Sequence, residues 1–245
     1  MSRIELLILA LLGAVCWTIS TLAAGGGALT FLPAASFFLD PREIPPILAI
    51  ASVASSVQRC WLYRREIDTR IVLWNTPGLI AGIALGAFAL RDLDPTWLSL
   101  AVGGFLVWIS LRHFRGAADL ALSGRPSFFA AASFTAGSLS TVVGAAGPIM
   151  NPVYLGAGIV KEAMIGTKAA STLAMQLFKI VAFASLGLLG GEVLVAGIAV
   201  GLGTLVGNVI GRAALGRISV ARFKDAVHGL VLVAGVWMIA KAWIV

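Results

Sequence analysis

Apolar segments long enough to cross a bilayer recur from one end of the chain to the other. They lie at about 4–24, 44–60, 71–90, 95–111, 127–143, 163–186, 191–211 and 223–245. About 20 consecutive apolar residues form a helix that spans the hydrocarbon core. In hydrocarbon every backbone N–H and C=O must be satisfied within the protein, which helices do, and the short alternating segments of a barrel are not found here. A soluble domain needs roughly a quarter of its residues charged, whereas this chain is 12% charged and 59% hydrophobic. The sequence therefore predicts an all-α polytopic membrane protein with about eight transmembrane spans.

Two breaks of the same kind interrupt this pattern. The first reads Gly25-Gly26-Gly27-Ala28-Leu29-Thr30-Phe31-Leu32-Pro33 and the second Gly144-Ala145-Ala146-Gly147-Pro148-Ile149-Met150-Asn151-Pro152. At one constant offset Gly25 falls on Gly144, Pro33 on Pro152, Glu43 on Glu162 and Ala51-Ser52 on Ala170-Ser171. The chain then divides into a first membrane repeat at 1–111, a cytoplasmic linker at 112–126 and a second repeat at 127–245. Each four-span repeat opens with a broken helix, continuing after its break as 28–39 or 148–160. Broken helices at matching positions of two halves point to a transporter's binding site. Glycine and proline cost a helix about 1 and 3 kcal/mol, and the exposed backbone is tolerated only inside protein or beside a wet cavity. The restarting half-helix offers free N–H groups and a positive dipole end, which suits an anion.

Loop charge adds a topology. Arg59, Arg64, Arg65 and Arg70 outnumber the acids of their loop, as do Arg112, Arg115 and Arg125, and Arg212, Arg217, Arg222 and Lys224 stand without an acid. The positive-inside rule places all three loops in the cytoplasm. Eight plain crossings cannot do this. The conflict disappears if each opening element is re-entrant and returns to the side it entered, which makes the halves inverted repeats.

The net charge of +7 fits topology control and anionic lipid headgroups. Nucleic acid is not expected, because no basic helix or aromatic–basic interleaving is present. Cys16 and Cys60 are far apart without a CxxC or histidine partner, so no metal or disulfide framework is expected. There is no Ser-His-Asp set, no HExxH and no acidic pair, which argues against an enzyme. Gly25-Gly26-Gly27 matches no nucleotide fingerprint, and no cofactor is implied. The start of the chain reads as a retained first helix rather than a signal peptide.

Polar groups inside spans are costly and functional by default. Lys168 and Lys179 bracket Ser171, Thr172 and Gln176, and positions 168, 172, 175–176 and 179 share one helical face. Thr167 stands beside them. The corresponding span of the first repeat offers Ser52, Ser55 and Arg59. Hydroxyls and one or two cations suit a small oxyanion. Arg59 and Lys179 also suit snorkelling to an interface. His228 and Lys241 read as interfacial, and Gly78, Gly82 and Gly86 as a packing stripe. The candidate substrate-binding set is therefore Gly25, Gly26, Gly27, Pro33, Ser52, Ser55, Arg59, Gly144, Gly147, Pro148, Asn151, Thr167, Lys168, Ser171 and Lys179, with Thr167, Lys168 and Ser171 facing Ser52 and Ser55.

The glycine run, the apolar residues after it and the closing proline, once per half, resemble the TauE/SafE family of sulfite and organosulfonate permeases. So do Arg64-Arg65-Glu66-Ile67-Asp68 running into Pro77-Gly78 and Gly82, and Ile165-Gly166-Thr167-Lys168. Ala145-Ala146 depart from the glycines of that pattern, as does Ser52-Val53 from its Ala-Thr-Ser type of stretch. The resemblance implies transport of a small sulfur-containing or other organic anion across a bacterial cytoplasmic (inner) membrane. The expected function is a secondary, non-ATP transporter of such an anion. An anion or metabolite channel using the same breaks is the alternative, and a non-transporting membrane partner the more distant one. Membrane lipid and the small anion are the expected partners; a homodimer is compatible with the sequence and not readable from it.

Overall fold

A computed structural model describes residues 2–22, 27–36, 39–92, 94–116, 125–144, 150–159 and 161–214, with isolated positions between 229 and 240. The described residues form helices α1 (Arg3–Leu22), α2 (Gly27–Ala35), α3 (Ile44–Leu62), α4 (Thr69–Asp92), α5 (Pro95–Phe114), α6 (Pro126–Val143), α7 (Asn151–Gly156), α8 (Lys161–Ser185) and α9 (Gly191–Ala214). Seven of the expected long spans are present within a few residues of their predicted bounds; the eighth falls on 223–245, most of which lies outside the described residues. Among the described residues three helices, over Arg3–Thr21, Thr69–Asp92 and Gly191–Gly211, are long and apolar enough by themselves to cross a membrane. Ile4, Leu7, Leu11 and Val15 leave an exposed apolar stripe on α1, and Leu202, Val206 and Val209 one on α9. Apolar stripes of this kind suit a lipid-facing surface.

Local chemistry sets several boundaries. Pro45 and Pro46 open α3, Pro95 opens α5 and Pro126 opens α6, where the missing N–H costs nothing. The Asp94 side chain accepts from the Thr96 N–H at 2.7 Å and caps α5, and this hydrogen bond holds its carboxyl below the usual carboxylate range. Gly144 ends α6 at φ +90°, a left-handed cap that suits glycine.

Two glycine stripes dictate the closest helix pairs. Gly203, Gly207 and Gly211 of α9 lie against the backbone of Ala10, Ala14 and Thr18 of α1, in that order. Gly78, Gly82 and Gly86 of α4 lie against Ala130, Phe134 and Ser138 of α6. Members of each pair therefore run in the same direction. A methyl group on Gly86 would come within 2.6 Å of the Ser138 carbonyl oxygen, and one on Gly211 within 2.8 Å of that of Thr18. Small residues permit this approach, which gains van der Waals contact where the hydrophobic effect gives none. The Thr18 hydroxyl adds a 3.1 Å bond to the Gly207 carbonyl. Gly82→Leu and Gly207→Leu are each expected to cost at least the 1–3 kcal/mol of an overpacked core. The measurement is the monodisperse fraction and melting temperature of purified protein, with Gly104→Leu, where a side chain meets nothing within 4 Å, as the tolerated control.

Helix directions extend beyond these pairs. Glu5, Glu43 and Glu192, at the starts of α1, α3 and α9, line one cleft of ≈ 250 Å³. Gly197 packs on Ile50, and further along Asn208 bonds Ser55, so α3 and α9 are parallel. By contrast Gly166, near the start of α8, packs on Tyr63 just beyond the end of α3. Phe183, near the end of α8, shares a buried cluster with Ile44 and Ile47 at the start of α3. These two helices are antiparallel. One end of the bundle therefore carries Glu5, Glu43, Asp92, Asp94 and Glu192, and the other Arg59, Arg64, Arg65, Arg70 and Arg125.

Candidate functional site

Many of the polar residues that α3, α4, α6, α8 and α9 carry lie inside the bundle. Ser52, Ser55, Ser56, Asn75, Ser133, Ser140, Thr167, Ser171, Gln176, Lys179 and Asn208 are all buried. Burying a polar group is costly unless it is hydrogen-bonded, and five of these residues sort into two networks.

The first network centres on Asn75 of α4, which is fully buried. Its amide nitrogen donates to the Tyr154 hydroxyl at 3.1 Å and to the Ser171 hydroxyl at 3.0 Å. Its amide oxygen accepts from the Ser133 hydroxyl at 2.7 Å. Ser133 also lies against the Phe129 carbonyl, and the Tyr154 hydroxyl donates to Ser171 at 3.2 Å. One amide thus joins α4, α6, α7 and α8. Phe129 packs edge-on to Tyr154 with centroids 5.7 Å apart and fixes that ring.

Against this network lies a cavity of ≈ 40 Å³ lined by Asn75, Leu79, Ser133, Ala136, Met150, Tyr154, Lys168, Ser171, Thr172 and Met175. That is a few times the volume that one water needs. Lys168 brings a cation to the wall, and Asn75, Ser133, Tyr154, Ser171 and Thr172 bring neutral hydrogen-bonding groups. The α8 residues in the wall, 168, 171, 172 and 175, follow helical spacing on one face. No carboxylate is among the lining residues. Chemically this is a small recess with one positive charge and several rotatable hydroxyls, a combination that suits an oxyanion.

The second network lies between α1, α3 and α9. Asn208 donates to the Ser55 hydroxyl at 3.1 Å and to the Gln58 amide oxygen at 2.8 Å, and accepts from the Thr21 hydroxyl at 3.1 Å. Asn208, Ser55 and Gln58 line neither the cavity beside Asn75 nor the outer cleft.

Residues 9–238 match the profile of the family described as sulfite exporter TauE/SafE. The chain belongs to that family. No curated protein and no solved structure matches it. TauE/SafE proteins are membrane transporters of sulfite and sulfonates, not enzymes, and this chain is accordingly a membrane protein.

Within this TauE/SafE chain the expected site residues separate. Lys168 and Ser171 line the cavity. Thr167, fully buried, accepts from the Asp68 N–H at 2.9 Å and ties α8 to the loop before α4. Ser55 is turned to α9, where its hydroxyl accepts from Asn208, and Ser52 is buried in α3 without lining the cavity at Lys168. Arg59 lies partly buried near the end of α3. Lys179 lies on the cavity-facing side of α8, fully buried, and donates to the Ser140 carbonyl at 2.8 Å and hydroxyl at 3.3 Å. Gly27 opens α2 against Trp17 and Ser20, and Gly144 ends α6 against Leu48 and Pro45. Pro33 lies in α2 and Asn151 opens α7, while their side chains, and all of Gly25, Gly26, Gly147 and Pro148, lie outside the described residues.

Asn75, Tyr154 and Ser133 were not singled out by sequence reasoning. An amide inside an otherwise apolar span is the available signal for Asn75, three residues before the packing stripe that opens at Gly78.

Proposed function

We propose that this TauE/SafE protein is a secondary transporter that moves a small oxyanion across a bacterial cytoplasmic membrane without ATP. Its substrate class is sulfite, an organosulfonate or a related sulfur-containing or organic anion. The observation that carries this reading is the cavity at Lys168. It has one cation, five hydrogen-bonding neutral residues and no carboxylate, between helices of both halves of the chain.

The proposed architecture is two inverted repeats, α1–α5 and α6 onward. Matching elements then are α1 with α6, α3 with α8 and α4 with α9. Their packing supports the pairing: α1 packs on α9 as α6 does on α4, and α3 on α9 as α8 does on α4. The antiparallel course of α3 and α8 supports the inversion. We take Gly25–Gly27 and Gly144–Pro148 as the two helix breaks, each letting its opening element return to the side it entered. Alternating access then comes from rocking one half against the other around a midplane site.

The test is sulfite flux into proteoliposomes. Saturable, gradient-driven uptake is expected, whereas flux that does not saturate favours a channel. A charge-assisted hydrogen bond is worth about 1.5–3 kcal/mol, so Lys168→Ala is expected to lower uptake roughly 10- to 100-fold with normal membrane insertion. Unchanged uptake would remove Lys168 from the site.

A further inference from the structure

The face of α8 that lines the cavity continues past Met175. On α8 the next residue of the same face is Lys179, one turn on. On α6, which runs the same way, Ser133 and Ala136 line the cavity and Ser140 is one turn beyond Ala136. The two continuations meet, for Lys179 Nζ bonds both the carbonyl and the hydroxyl of Ser140. Its other neighbour is the Phe183 ring, with the centroid at 5.8 Å. Among the described residues no carboxylate lies within ion-pair reach of Lys179. An ammonium has three protons to donate, and a wholly buried charge with only neutral partners is rare outside functional sites.

We infer that Lys179 is a second anion station, reached from the cavity at Lys168 by moving along the groove between α6 and α8. This rests on the transport reading above and deepens it. Positions 168 and 179 stand three helical turns apart on one face of α8, about 16 Å along the axis, so the anion passes from one cation to the next. The Lys179–Ser140 contact closes the groove while the station is empty. The incoming oxyanion supplies the missing counter-charge by accepting from the ammonium and from the Ser140 hydroxyl. Lys179 also donates to a carbonyl in the last turn of α6, a favourable place for any cation. The experiment must therefore separate an anion station from a helix cap.

Ser140→Asp gives the ammonium a permanent internal counter-ion in nearly the same space, and Ser140→Asn is its neutral match. Purified S140D is expected to melt at a higher temperature than S140N and to move sulfite into proteoliposomes more than tenfold more slowly than S140N does. Lys179→Gln is expected to lose more than tenfold in turnover yet keep the melting-temperature rise that sulfite gives through the Lys168 cavity. Wild-type turnover in either S140D or K179Q overturns the station, as does S140D melting no higher than S140N. A wild type that moves no sulfite overturns the transport reading and the station with it. A working wild type beside an unimpaired S140D overturns the station alone.

Discussion

Asn75→Asp is expected to abolish most transport while leaving the protein folded. The substitution is isosteric. The Ser133 hydroxyl already donates to Asn75, and the Tyr154 and Ser171 hydroxyls can rotate to donate to a carboxylate in place of accepting from an amide. The network therefore keeps its partners, and Lys168 in the same cavity wall compensates part of the charge. What changes is the sign of the wall facing the substrate. Two like charges about 5 Å apart at an effective dielectric near 20 repel by about 3 kcal/mol, or roughly 100-fold in affinity. The measurement is sulfite flux in proteoliposomes beside the melting temperature of the same preparation. Asn208→Asp is the control, since Asn208 has similar partners but lines neither described recess. It should reduce flux less than threefold. If N75D and N208D transport alike, the cavity beside Asn75 is not the anion path. Asn75→Leu answers a different question. It leaves groups on three neighbouring helices without their partner at once, and its main expected effect is a loss of about 1–3 kcal/mol for each buried group left unpaired.

The elements were readable in the sequence for simple reasons. Apolar length fixed the long spans, and helical spacing put 168, 172 and 175 on one face of α8, where all three line the cavity. What sequence could not supply was the partner of each face. Ser55 and Ser171 are the same residue type in matching spans, yet one bonds Asn208 and the other Asn75. Nothing within α3 or α8 says which of two flanking helices a hydroxyl will meet. That is decided by the glycine stripes of α4 and α9, which fix where α6 and α1 pack and hence which faces remain for α8 and α3. Tyr154 was hidden for a related reason. It sits in a short apolar helix after the second break, and only the approach of α7 to α4 and α8 turns its hydroxyl into part of a wall.

Cysteine labelling across the membrane should give an all-or-none outcome. With Cys60 replaced by alanine and Cys16 left buried in α1, Asp94→Cys and Glu192→Cys are expected to react in intact cells with a membrane-impermeant maleimide. Arg64→Cys and Arg125→Cys should react only after permeabilisation. Asp94 and Glu192 already stand at the opposite end of the bundle from Arg64 and Arg125 through the starts and ends of α3, α4, α6 and α9. The positive-inside rule then orients the basic end to the cytoplasm. The pairing of Glu192 with Arg125 is the informative one. With simple alternation, α1 and α2 would together behave as one crossing, and so would α6 and α7. The loop before α9 would then fall on the same side as the loop before α6. With two re-entrant opening elements, α6 and α7 return the chain to the cytoplasm, α8 crosses once, and Glu192 emerges outside. Labelling of Glu192→Cys and Arg125→Cys from the same side would therefore remove the inverted repeat. Labelling from opposite sides leaves the breaks at Gly27 and Gly144 as the points where each half turns back.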